Sequence, residues 1–184
     1  GYSGYSFRRC INGRLGEIDN STCELQAPTA ASYSKTHFTF VVGTNVMTEA
    51  PTVDSVDITW KMKDELPEGL SINENTGVIS GIPTTELNTT AFVVFAKNDK
   101  GMVPVSLKLT VRKGRCNAEG FFPATVVGET AIVKCSQQGH YMGTMHRKCF
   151  LGEKDGIWGI TEGRCFAIPM VVTVTVLGIV IVAG

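Results

Sequence analysis

Charge is missing from the last eighteen residues of this chain, and cysteine is missing from its middle. The run Ala167 to Gly184 (AIPMVVTVTVLGIVIVAG) carries no ionisable side chain. As a helix rising 1.5 Å per residue it would reach about 27 Å. A bilayer's hydrocarbon core is about 30 Å thick. These lengths predict a C-terminal transmembrane helix over 167–184, truncated because no basic stop-transfer cluster follows Gly184. A buried strand or core helix is the competing reading, kept alive by the β-branched residues between Val171 and Val176. Cysteine is absent from 29–115, with Cys10 and Cys23 before it and Cys116, Cys135, Cys149 and Cys165 after it. That shift divides the chain into 1–28, 29–115, 116–166 and the terminal run 167–184.

Other absences remove whole classes of function. The chain has 3 His (His37, His140 and His146), none in a nucleophile-elbow or papain-like setting. No phosphate-cradling G-x-x-x-x-G-K-[ST] loop is present. We therefore assign no catalytic residue, no cofactor and no enzymatic activity to it. With 17 basic and 17 acidic residues the net charge is zero, which gives no footprint for nucleic acid. Neither an initiator Met nor a basic-then-apolar signal segment opens the chain. The expectation is the C-terminal piece of a longer protein, its signal preceding Gly1. Lys63-Asp64-Glu65-Leu66 spells a retrieval signal but is internal, so it does not act as one.

What is present points outside the cell. Two N-glycosylation sequons occur, Asn20-Ser21-Thr22 and Asn88-Thr89-Thr90. Six cysteines in such a setting are expected to pair, because oxidising compartments let disulfides persist. The predicted location is the plasma membrane, single-pass, with an extracellular ectodomain. The two cysteine-bearing ends also echo each other. Tyr2, Gly4, Cys10, Gly16 and Cys23 correspond to Tyr141, Gly143, Cys149, Gly159 and Cys165, as a repeated module would.

The middle reads as all-β. Val56, Ile58, Trp60 and Met62 alternate with polar residues, and so do Val103, Val105, Leu107, Leu109 and Val111. Pro104 cannot donate to a ladder, which puts the start of its strand at a sheet edge. Ala91–Ala96 is a buried type of strand, and Asn98-Asp99-Lys100-Gly101 a hairpin turn in which Gly101 is free to take positive φ. Short strands and frequent Gly, Asn and Pro turns predict a β-sandwich. Leu66-Pro67-Glu68-Gly69-Leu70-Ser71-Ile72 followed by Thr76-Gly77-Val78-Ile79-Ser80-Gly81-Ile82-Pro83 resembles the signature of immunoglobulin-like domains grouped with dystroglycan-type cadherin-like repeats. Ala96-Lys97-Asn98-Asp99-Lys100-Gly101 resembles the same family's later turn, so the resemblance covers about residues 33–112. It implies an immunoglobulin-like sandwich and no reactive site.

Cys135, Gly139-His140-Tyr141, Gly143, Arg147, Cys149, Gly156, Trp158 and Cys165 are similar in order to a sushi (complement control protein) module. The short Cys116–Cys135 interval and the lack of a Pro before Cys165 depart from that pattern. The resemblance implies bonds Cys116–Cys149 and Cys135–Cys165 with Trp158 packed against them. Residues 1–28 would then be the C-terminal part of a truncated second copy, with Cys10 and Cys23 lacking their partners. A sequential scheme (Cys10–Cys23, Cys116–Cys135, Cys149–Cys165) stays open, since spacing alone does not settle connectivity.

Cys135, His140, His146 and Cys149 have spacings that zinc uses, but extracellular thiols are oxidised, and no metal is assigned. Asp54, Asp57, Asp64, Glu65 and Asp99 sit on separate turns and strands without a calcium-linker pattern, and read as solvated faces. The basic pairs Arg8-Arg9 and Arg147-Lys148, and Arg112-Lys113 with Arg115, are candidate contacts for anionic glycans. The expected fold is all-β: an immunoglobulin-like sandwich plus small disulfide-rich sushi-like modules and a transmembrane helix. Its expected function is adhesion or binding of an extracellular protein or glycan, including self-association, with membrane lipid contacted through 167–184. A structural spacer or filament subunit is the alternative. A further one is the anchor region of an enzyme whose catalytic domain lies upstream.

Overall fold

The computed structural model describes residues 1–11, 14–19, 24–169, 174–176 and 179–181. They form two compact units, Gly1–Arg112 and Lys113–Gly184. Apart from one 3-10 turn at Cys135–Gln138, every described element is a β-strand.

In the first unit, strand Gly101–Arg112 lies between His37–Val41, its parallel neighbour, and Leu87–Asn98, its antiparallel one. Thr59–Met62 completes this four-stranded sheet, and Leu70–Ile72, Ile79–Gly81 and Val46–Met47 form a second sheet. The period of 2 decides which side chains meet between them. Val105, Leu107, Leu109 and Val111 are buried while Ser106 and Lys108 face solvent. They join Phe40, Trp60, Ile79 and Val94 in one apolar core. This is an immunoglobulin-like arrangement.

Two strands differ from the sequence reading, one in where it starts and the other in its place in the sheet. Thr59–Met62 begins three residues later than Val56, because Asp57 takes φ 57° and breaks the extended run. Its carboxylate accepts the Tyr2 hydroxyl at 2.8 Å. Pro104 lies within a central strand, yet the parallel neighbour begins only at Lys108. No partner on that side therefore needs the N–H that proline lacks.

The motif residues build backbone crossings. Leu70 pairs with Gly81, and the Ile82 N–H donates to the Gly69 carbonyl at 2.9 Å. A Cβ on Gly69 would lie 1.9 Å from the Ile82 oxygen, and one on Gly81 would lie 2.0 Å from the Gly69 oxygen. Both glycines take positive φ, +88° and +140°, where other residues are strained. Asn98 works differently. Its side-chain oxygen accepts the N–H groups of Lys100 and Gly101 at 2.9 and 3.1 Å, closing the hairpin. Its amide donates to the Gln26 carbonyl at 2.8 Å and to the Ser55 hydroxyl at 3.1 Å, tying two distant segments to the turn. Gly101 does not use positive φ here; a Cβ on it would strike Ala27 at 2.9 Å.

The second unit is held by Cys116–Cys149 and Cys135–Cys165. The sequential pairing of these four cysteines does not form. Strand Tyr141–Leu151 is the spine, pairing on one side with Thr130–Lys134 and on the other with Glu162–Ala167 and Gly156–Trp158. The buried apolar cluster is small: Phe122, Ala131 and Val133, with Met145 and Trp158 against it.

The register of this spine recurs at the start of the chain. Tyr141 pairs with Ala167 and Cys149 with Trp158. Tyr2 pairs with Leu25 and Cys10 with Leu15. Under the correspondence of Cys10 with Cys149, of Gly16 with Gly159 and of Cys23 with Cys165, these are the same partners. The Cys10 side chain, Cys23 and Asn20 lie outside the described residues.

The transmembrane helix is corrected. Among the described residues no helix is long and apolar enough to cross a membrane. Instead Val174–Val176 pairs antiparallel with Ile179–Ile181. Apolar length matched a span, but Val, Ile and Thr are stiff at χ1 and suit extended backbone better than helix. The rest of 170–184 lies outside the described residues.

Candidate functional site

The second unit presents its two sheet faces very differently. On the inner face, the Arg147 guanidinium lies over the Phe122 ring at 5.5 Å and over the Trp158 ring at 5.2 Å. It donates to the Gly159 carbonyl at 3.1 Å and meets the Glu119 carboxylate at 3.0 Å. The Trp158 indole N–H donates to the Asn117 carbonyl at 2.7 Å. These contacts engage the Arg147 and Trp158 polar groups within the unit itself.

The outer face is open. Thr130, Ile132 and Lys134 are exposed while Ala131 and Val133 between them are buried. Cross-strand pairing carries this outward set across the sheet. Lys134, Thr144 and Arg164 form one row, and Ile132, His146 and Glu162 the next. Thr130 pairs with Lys148, Met142 with Phe166, and Phe150 with Ile157. A hollow of about 200 Å³ lies where residues 159–160 pass this face, lined by Thr130, His146, Lys148, Phe150, Ile160 and Glu162. The Lys148 ammonium sits 5.6 Å from the centre of the Phe150 ring. One nitrogen of His146 shares a hydrogen bond with the Thr144 hydroxyl at 3.1 Å. The hollow thus combines a cation, hydroxyl and imidazole groups, a carboxylate and two apolar walls. It has the make-up of a recognition site and lacks an activated nucleophile.

The structure distributes the other sequence candidates. Cys135 and Cys149 are in different disulfides and unavailable to zinc. Among the described residues no three His, Cys, Asp or Glu side chains gather as a metal site. Asp54 is a turn anchor: the Thr29 hydroxyl and N–H donate to its carboxylate, which holds its pKa down to about 2. Asn88 is exposed, beside the irregularity between Leu87 and Thr90 in its strand. Arg147 and Lys148 are adjacent basic residues, but the pleat sends them to opposite faces. The missed signal was Thr130-Ala131-Ile132-Val133-Lys134, where Ile132 hides the alternation by being apolar and 60% exposed.

A family model described as "Putative Ig domain" matches residues 20–112, half of the chain. The chain belongs to this family. No curated protein matches it. Among solved structures, a "putative alpha-galactosidase" from Bacteroides fragilis shares 25% identity at TM-score 0.40. That match covers 46% of this chain, which spans only 17% of that protein's length. Human protocadherin-24 EC1-2 aligns over 78% of this chain and 98% of its own, at 8% identity and TM-score 0.40. A SusE-like surface-located polysaccharide-binding protein from Bacteroides thetaiotaomicron aligns over 78% of this chain and 34% of its own, at 10% identity and TM-score 0.39.

Proposed function

We propose that the chain is an extracellular binding module: an immunoglobulin-like domain and a sushi-like module that act in adhesion or in capture of a macromolecule. The observation that carries this reading is the outer face of the second unit. A module with so few buried residues exposes Ile132, Phe150, Ile160 and Phe166 at 60, 48, 80 and 59% of their surfaces. Contiguous exposed apolar surface with a polar rim marks interaction sites. Two disulfides stabilise the module in place of a larger core, which suits an oxidising milieu outside the cell. In that milieu Asn88, and Asn20 likewise, are acceptors for N-linked glycan. The Phe7–Ile11 and Arg14–Asp19 hairpin shares its register with the sushi-like module and belongs to a second copy of the same motif.

Beads coated with the full chain provide the test, scored for clustering with one another and for capture on cell surfaces. Clustering or capture that disappears on disulfide reduction supports the module reading. Beads that neither cluster nor attach, with both disulfides verified by non-reducing mass spectrometry, contradict it.

A further inference from the structure

We infer that the outer face of the second unit docks an acidic, partly apolar segment of a partner protein, with the hollow beside Lys148 taking a carboxylate side chain. This rests on the binding-module reading and names its partner chemistry. The rows of the face place three cations, Lys134, Lys148 and Arg164, against one carboxylate, Glu162. All four are exposed. Among the described residues none of these cations is held in an ion pair within the unit. A carboxylate entering the hollow meets the Lys148 ammonium and the Thr130 hydroxyl, flanked by the Phe150 and Ile160 side chains, with Glu162 also on the lining.

The apolar residues decide the class of ligand. Ile132, Met142, Ile160 and Phe166 are each more than half exposed and are interleaved with the cations. Their burial contributes about 25 cal/mol per Å² to a partner with apolar side chains. A sulfated glycan would use the cations and leave these residues wet. From Met142 to Phe150 the spine runs about 26 Å, room for roughly eight residues of extended chain. An extended segment alternating acidic and apolar side chains therefore matches the face in length, charge and hydrophobicity.

The test is fluorescence anisotropy of the full, disulfide-bonded chain with three labelled probes: a peptide alternating Glu and Leu, its Lys-for-Glu counterpart, and a heparin-derived oligosaccharide. The Glu–Leu peptide is expected to bind, and added salt to weaken it. Lys148→Glu and Ile160→Asp should each weaken it about tenfold, the size of a lost rim charge or anchor. Lys61→Glu, on an exposed position of the other unit, should leave it unchanged. Folding of both variants is checked by the intact disulfides and an unchanged Trp158 indole N–H resonance. Equal binding of the Lys–Leu peptide, tighter binding of the heparin oligosaccharide at the same residues, or no binding of the Glu–Leu peptide overturns the inference. If the peptide fails while coated beads still cluster, only the partner chemistry falls. If the beads fail too, the module reading falls with it.

Discussion

The two units hold β-structure by opposite means. Gly1–Arg112 has an apolar core built on strand alternation, with Ile79, Val94 and Leu109 fully buried. Lys113–Gly184 buries Phe122, Ala131 and Val133, and two covalent bonds act where apolar area is lacking. The comparison teaches where surface can be spared for binding. The domain held by its core turns the alternating apolar residues of its long strands inward, although Met47, Ile82 and Met102 stay exposed. A stapled module can leave Ile132, Phe150 and Ile160 facing out.

The sharpest way to break this contrast is to remove a staple. Cys135→Ser together with Cys165→Ser is expected to cost the second unit about 2–5 kcal/mol. Thermal melts followed by domain-resolved NMR should show that unit unfolding while the first keeps its transition. Next in size is Gly81→Ala, which forces a Cβ to within 2.0 Å of the Gly69 oxygen at φ +140°. Its expected cost is about 2–4 kcal/mol in urea melts of the first unit, with the stapled unit unaffected. Asn98→Ala strands the partners of a side chain that hydrogen-bonds Gln26, Ser55, Lys100 and Gly101. About 1–3 kcal/mol should be lost, again from the first unit alone.

The smallest effect separates the units by pH. Burial pushes the Tyr33 hydroxyl, which donates to the Gly77 carbonyl at 2.6 Å, up to about 12. A tyrosine in the unfolded chain ionises near 10. Between pH 10 and 12 the unfolded state loses its proton first, so stability falls as pH rises through that window. Below pH 10 both states are neutral and the group adds no pH dependence. Tyr33→Phe should flatten the alkaline fall of the first unit in pH-dependent urea melts.

Much of the first unit was legible because its motif constrains backbone. Leu66–Pro83 announced a fold through glycines that tolerate no Cβ, and the structure adds Asn73 between the two motif halves, whose side-chain oxygen accepts two N–H groups. The candidate face was not legible. Arg147 and Lys148 are adjacent in sequence, yet one lies between Phe122 and Trp158 and the other lines the outer hollow. Only a known strand register divides them. The terminal run misled for the reverse reason. Its uninterrupted apolar length fits a membrane helix, and the preference of Val174, Thr175 and Val176 for extended backbone pulls the other way. The Cys116–Cys149 and Cys135–Cys165 bonds were reached only through a family likeness, since spacing admits other pairings equally well.

Hydrogen exchange on the full chain, with and without a thiol reductant, tests the central claim most directly. Amides of Thr130–Lys134 and Tyr141–Leu151 should lose protection on reduction, while those of Leu87–Asn98 and Gly101–Arg112 keep theirs. Protection that survives reduction in the second unit, or vanishes from both together, would contradict a module whose exposed face depends on its disulfides.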